Sequence, residues 1–410
     1  MKRYIITLCL STFVLWVAAQ QLTYKQYIKN VTENNAALIA QNMDISIAQA
    51  TLKSSKVYND PTLSVEYGNN EDWNKDLGQS FAAELGRTFT FGVRRAGIRL
   101  AQKELEATTA VFNNYARNLY ADATTAYLLH LRAKALLEIA AQRDTFMIEL
   151  EQSDSIRFHR GDISKSVWLE TRLAAGLTHN ERLSAEAEYT NTLYSLGYYM
   201  GSFKNIEQLS IEGTLEEIKS EMKGMDYYIE KAIANRADIV AATSNVEIAE
   251  AQRKLNRAQR RIDIQLSIGA EYNDADPKFT KVKIGAAIPI KISNFNKGAR
   301  IKEQRIIEQR QQELTELRLQ VQSEVMQAYN DCIIADKQVE NFRNGMVNET
   351  AELLEGKRKA YRMGEIPFVE FIETERSDNM MNEEYINALY NKAQSIVELQ
   401  RSTGITEYKE

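Results

Sequence analysis

The stretch Ile262-Asp263-Ile264-Gln265-Leu266-Ser267-Ile268-Gly269-Ala270-Glu271-Tyr272 alternates an apolar with a polar or small residue at every step. A second run soon after, Lys281-Val282-Lys283-Ile284-Gly285-Ala286-Ala287-Ile288-Pro289-Ile290-Lys291-Ile292, carries the same alternation. Period-two writing over about ten residues predicts strands with one apolar and one polar face. An earlier pair follows the same rule, with Leu63, Val65 and Tyr67 answered by Phe81, Ala83, Leu85, Phe89, Phe91 and Val93. Arg87 interrupts that apolar row, which predicts a bulge or a strand end there. The four strands fall at about 62–68, 80–93, 262–273 and 280–292, and the segments Asn69–Gln79 and Asn273–Lys278 read as exposed polar loops.

Tilted strands of about ten residues are long enough to cross a bilayer. Open strand edges are not tolerated in lipid, because each bare N–H or C=O there costs several kcal/mol, and closed membrane barrels need about eight strands or more. Four strands per chain therefore leave a soluble sheet or a barrel shared by several chains. In the shared barrel the apolar rows face lipid, while Asp263, Glu271, Lys283 and Lys291 face a watery lumen. A soluble sandwich of four strands would be a poor core for the long helices that accompany it, so the shared barrel and an obligate oligomer are the stronger reading.

Those helices follow from composition and repeat. Only 4 of the 410 residues are proline, so the chain has few helix breakers. Ile98, Leu105, Phe112, Leu119, Ala126, Ala133 and Ala140 recur every seventh residue, as do Ile307, Leu314, Val321, Ala328, Ala335 and Phe342. Such a seam is that of a coiled coil. It predicts uninterrupted helices over Arg95–Asp154 and Gly298–Arg358, each roughly 80–90 Å long. Shorter helices over Tyr24–Val57 and Tyr227–Arg261 open each half. The halves also match residue by residue: Asn34, Ile47, Ala48, Ala50 and Lys53 fall on Asn235, Ile248, Ala249, Ala251 and Lys254. Gly161, Asp162, Ile163, Glu170 and Thr171 fall on Gly364, Glu365, Ile366, Glu373 and Thr374 at nearly the same offset. The chain reads as a mainly α protein with a small β part, a unit of helix, β-hairpin, long helix and helix written twice. The repeats span 20–203 and 224–404, joined by a linker at 204–223 and followed by a tail at 405–410.

At the N-terminus, Lys2 and Arg3 precede a short apolar run ending in Val17-Ala18-Ala19, the pattern of a cleaved export signal over 1–19. The residues after it hold one cysteine, Cys332, which rules out an intramolecular disulfide in the mature chain. The formal charge of −5 lacks the basic stripe of a nucleic-acid binder. His130, His159 and His179 are scattered, no Cys/His set has metal-ligand spacing, and no phosphate loop or nucleophile motif appears, so neither an enzyme, a cofactor nor a resident metal is expected.

The export signal, the doubled helix–hairpin–helix unit, Ile288-Pro289 near the end of the last strand and Lys297-Gly298-Ala299 opening a long helix together resemble the TolC-like outer-membrane efflux family. The resemblance extends over nearly all of residues 22–404. It implies a homotrimer in the outer membrane, in which three chains share one twelve-stranded transmembrane β-barrel continued by a periplasmic α-helical barrel. It also implies contact with outer-membrane lipid, a periplasmic adaptor (membrane fusion) protein and an inner-membrane pump such as an RND transporter, the trimer being the passive exit duct of a tripartite efflux system. The channel of a type I protein secretion system and a periplasmic coiled-coil scaffold remain as alternatives, and the cargo is left open.

Two glycine turns, Phe158-His159-Arg160-Gly161-Asp162-Ile163-Ser164 and Tyr361-Arg362-Met363-Gly364-Glu365-Ile366-Pro367, join a long helix to its return. The family's periplasmic tips have similar turns, and the resemblance assigns Gly161, Ile163, Ser164, Gly364, Ile366 and Pro367 to adaptor docking. It assigns Glu370 and Glu373, six and nine positions after Gly364, to an acidic pore constriction, with Glu170 in the matching slot of the first turn. Tyr361 corresponds to a tyrosine that holds the closed tip. Val167 and Ile366 stand where the family carries an acid and a base, so its closing network is not carried over.

Overall fold

The computed structural model describes residues 21–69, 78–217, 222–290 and 297–405. The predicted export signal, most of the loop after Asn69, part of the linker, Lys291 and Ile292 and the end of the tail lie outside the described residues. Strand β1 (Gln21–Leu22) leads into α1 (Tyr24–Asn34) and α2 (Ala36–Ser54), then β2 (Thr62–Asn69), β3 (Gln79–Phe89), α3 (Val93–Arg160) and α4 (Lys165–Met200). After β4 (Ser210–Ile211), parallel to β1, the same order recurs. It runs through α5 (Met225–Asn235), α6 (Ala237–Gln259), β5 (Ile264–Asn273), β6 (Phe279–Ala287), α7 (Lys297–Asn341), α8 (Val347–Met363) and α9 (Phe368–Thr403).

Three expectations about helices need correction. Each opening helix is broken at a single residue with extended backbone, Asn35 (ψ 113) and Arg236 (ψ 126). Both breaks are held by side chains that reach distant elements. The Asn35 Nδ2 donates to the Tyr199 carbonyl at 3.0 Å, and the buried Arg236 guanidinium donates to Glu324 at 2.6 Å and the Ser402 carbonyl at 3.0 Å. The helix predicted over Gly298–Arg358 is likewise interrupted, by a π turn at Phe342–Met346 in which Gly345 takes φ +136. A φ in that range suits glycine alone, and the seven-residue seam ends at Phe342, where the π turn begins. By contrast α3 is unbroken over 68 residues, longer than the seam indicated.

The chain folds as two compact units, neither of them continuous in sequence. One comprises the described residues of 21–35, 122–217 and 334–394; the other comprises those of 36–121, 222–333 and 395–405.

The second unit holds an antiparallel four-stranded sheet in the order β2-β3-β5-β6. Its register aligns Leu63, Leu85, Ile268 and Ile284 across one face, flanked by Val65, Ala83, Ala270 and Val282. This face is bare: Ile284 is 85% and Leu63 70% exposed. On the other face Glu271 accepts from Lys281 at 3.1 Å and also pairs with Lys283. The bulge foreseen at Arg87 is absent, since Arg87 pairs in register with Leu266 and the strand continues to Phe89 before ending. Strands β3 and β6 end at Phe89 and Ala287, short of the alternation in the sequence, because the pattern continues into connecting backbone that has no ladder partner.

Candidate functional site

Both glycine turns lie in the first unit and have the same construction. Gly161 (φ +86) ends α3, with its N–H donating to the Phe158 carbonyl at 3.0 Å and the Asp162 N–H to the Arg157 carbonyl at 2.9 Å. Gly364 (φ +78) ends α8 with the equivalent bonds, Gly364 to Tyr361 at 3.0 Å and Glu365 to Ala360 at 2.9 Å. This is the left-handed closure that satisfies the last helix carbonyls. A Cβ on either glycine would meet nothing within 4 Å, so backbone conformation alone demands glycine there. Ser164 caps α4 by accepting from the Val167 N–H at 3.4 Å, and Pro367 precedes α9 and accepts from Phe371 N–H at 3.3 Å.

Behind the turns, Met147, Leu150, Ala174, Ala175, Tyr361, Phe368, Phe371 and Ile372 form a buried cluster. Val167 and Ile366 pack against it, which accounts for apolar residues where a charged pair was sought. Of the residues assigned to docking, Gly161, Ser164, Gly364 and Pro367 are exposed and Ile163 and Ile366 are half-buried.

Tyr361 is buried in this cluster, its ring stacked on Phe371 at 5.3 Å. Its hydroxyl donates to Asp154 Oδ2 at 2.6 Å, and the Thr171 hydroxyl donates to the same oxygen at 2.8 Å. Asp154 Oδ1 accepts from Arg157 at 3.1 Å, and the Asp154 side chain is only 1% exposed. A carboxylate removed from water in this way is held by three donors drawn from α3, α4 and α8. Burial, reinforced by the neighbouring Asp154 carboxylate, pushes the Tyr361 phenol well above its ordinary pKa. Sequence reasoning singled out Tyr361 and missed Asp154, Thr171 and Arg157. The available signal was an acid and a hydroxyl 17 residues apart, placed symmetrically about the first turn.

Two further ion pairs brace the same unit. Arg143 grips the buried Glu375 in a bidentate contact (2.6 and 3.1 Å), and Asp144 accepts from Arg182 at 2.8 Å and from His179 at 3.1 Å. The three carboxylates assigned to a pore mouth differ in their surroundings. Glu370 is paired with Lys357 across the second turn, whereas Glu373 and Glu170 are exposed and make no ion pair among the described residues. Among the described residues no cluster of three or more His, Cys, Asp or Glu side chains could hold a metal ion.

Residues 228–405 match the family model for outer membrane efflux proteins. The cobalt-zinc-cadmium resistance protein CzcC of Cupriavidus metallidurans is 19% identical over 94% of this chain and 91% of its own length. Among solved structures, the outer membrane protein VceC of Vibrio cholerae superposes with a TM-score of 0.77 at 17% identity, covering 93% of this chain and 96% of that one. The outer membrane channel CmeC of Campylobacter jejuni gives 0.79 at 15% identity over 93% and 85%.

Proposed function

We propose that this chain is a TolC-like outer-membrane efflux protein, a reading supported by the family match over residues 228–405, and that three copies form the passive exit duct of a tripartite efflux system in the outer membrane. The observation that carries this reading is the sheet. It has open edges at β2 and β6 and a largely exposed apolar face. In lipid such edges must be closed by other chains, and four strands from each of three copies meet the closure requirement. The helices then supply the periplasmic tube, and the two doubled segments, 20–203 and 224–404, are the repeating units of its wall. The exposed turn residues Gly161, Ser164, Gly364 and Pro367, with Ile163 and Ile366 beside them, meet the periplasmic adaptor, and an inner-membrane pump provides the energy.

Under this reading Glu373 and Glu170, which make no ion pair among the described residues, give the mouth its negative field, and Glu370 contributes less because Lys357 neutralises it. The Tyr361–Asp154–Thr171 junction holds the turns closed. The likeness to CzcC, a resistance protein, favours efflux over protein secretion. Electron microscopy of the detergent-purified protein tests the reading: it calls for threefold particles with a membrane ring at one end and a helical tube beyond. A water-soluble monomer obtained without detergent would refute it.

A further inference from the structure

Arg87 poses a question the channel function does not answer. It lies on the same sheet face as Phe81, Ala83, Leu85 and Phe89, opposite Leu266, on an inner strand whose neighbours β2 and β5 belong to its own chain. A guanidinium on a lipid-facing row is costly near the bilayer midplane and tolerated only near the interface. Arg87 stands two residues from the end of β3, close to the start of α3, which is the interfacial position.

The side chain also has company of an unusual kind. Its Cζ lies 5.7 Å from the ring centroid of Tyr58, and that same ring carries the Arg94 guanidinium at 4.0 Å. Arg87 is equally 5.7 Å from the Phe89 ring, and Arg94 Nε donates to the Lys56 carbonyl at 2.9 Å. No carboxylate among the described residues pairs with either arginine. Tyr58, Val57, Phe89 and Phe91 around them are exposed. Two cations thus share one aromatic ring beside an apolar surface, with no counter-ion among the described residues.

We propose that Arg87 and Arg94, stacked about Tyr58, bind the phosphate of an anionic glycerophospholipid in the periplasmic leaflet. The proposal rests on the outer-membrane reading above. The acyl chains lie along Leu85 and Ile268, and the phosphate supplies the negative charge that the described residues do not. Planar guanidinium groups donate to phosphate oxygens in paired hydrogen bonds, and an aromatic ring at the headgroup level fixes their position. The periplasmic leaflet follows from the position of Arg87 on the strand, at the end that enters the helix and not at the end bearing the hairpin loop.

The test uses the full mature chain, purified in detergent, delipidated and titrated with dioleoylphosphatidylglycerol or dioleoylphosphatidylcholine. Native mass spectrometry then counts lipids bound per trimer. The wild type should retain phosphatidylglycerol in preference to phosphatidylcholine, and the double variant Arg87→Gln/Arg94→Gln should bind it about tenfold more weakly. Arg305→Gln, which removes an exposed cation already paired with Glu308 on α7, should leave the preference intact. Equal retention of both lipids, or an undiminished preference in the double variant, overturns the lipid site while leaving the channel standing. Trimers lost in the double variant would assign the pair to a protein contact and also overturn it. A mature chain that stays monomeric and soluble without detergent overturns this site and the duct together.

Discussion

Tyr361→Phe removes one oxygen from the first unit and leaves the ring stacked on Phe371 in place. What is lost is the 2.6 Å bond to Asp154, a carboxylate that is 1% exposed and keeps, among the described residues, Thr171 and Arg157 as donors. Hydrogen bonds to buried charged groups contribute about 1.5–3 kcal/mol. A local opening equilibrium shifted by about 2 kcal/mol speeds amide exchange roughly thirtyfold in peptides from the two turns, such as 144–160 and 354–372. Thr171→Val removes the second donor to the same oxygen. The two substitutions should therefore couple, and the double variant should depart from additivity by about 0.5–3 kcal/mol. Hydrogen–deuterium exchange read by mass spectrometry on detergent-solubilised trimers measures this directly, with peptides from the sheet as the internal control. In bilayer recordings Tyr361→Phe should also raise the open probability of the channel. Exchange at the turns within threefold of the wild type, together with strict additivity, would refute the view that Asp154 ties the turns together.

Gly364→Val should impair efflux without dissolving trimers. Its cost is the left-handed backbone alone, about 1–2 kcal/mol, since a side chain there meets nothing; full efflux in a susceptibility assay would count against a role for that turn. Glu373→Gln should lower cation preference in bilayer recordings more than Glu370→Gln, because Glu370 is already paired with Lys357; equal effects would contradict this ranking. His130 is fully buried beside Tyr189, with Nδ1 2.9 Å from the Thr192 hydroxyl, and burial pushes its pKa down to about 4. Its neutral form favours the fold above the ordinary pKa near 6.5, and that contribution, roughly 3 kcal/mol, is lost as pH falls from about 6.5 to 4. Denaturation midpoints measured across that interval should drop in the wild type and change less in His130→Asn.

The order of the elements, the pairing of strands into two hairpins and the two helix turns were legible in the residues. Each depends on local rules: alternation at period two, an apolar seam at period seven, and glycine where a helix must reverse. These rules act over a few residues and leave a periodic trace. The helix breaks at Asn35 and Arg236 leave none, because side-chain bonds to residues such as Tyr199 and Ser402, far away in the chain, stabilise them. The π turn at Gly345 was not legible either, because a lone glycine within a helical pattern does not by itself mark a break. At the turns, sequence comparison found Tyr361 but not its partner. Asp154 looks like any acid on a long helix until folding takes it out of water and surrounds it with Tyr361, Thr171 and Arg157. Arg87 shows the same division. The sequence marked it as an interruption, and only the sheet register and the ring of Tyr58 revealed a charge on an apolar face without a counter-ion among the described residues. Periodicity determines which face a residue occupies; which groups meet across that face is decided by contacts between segments remote in sequence, and those exist only once the chain has folded.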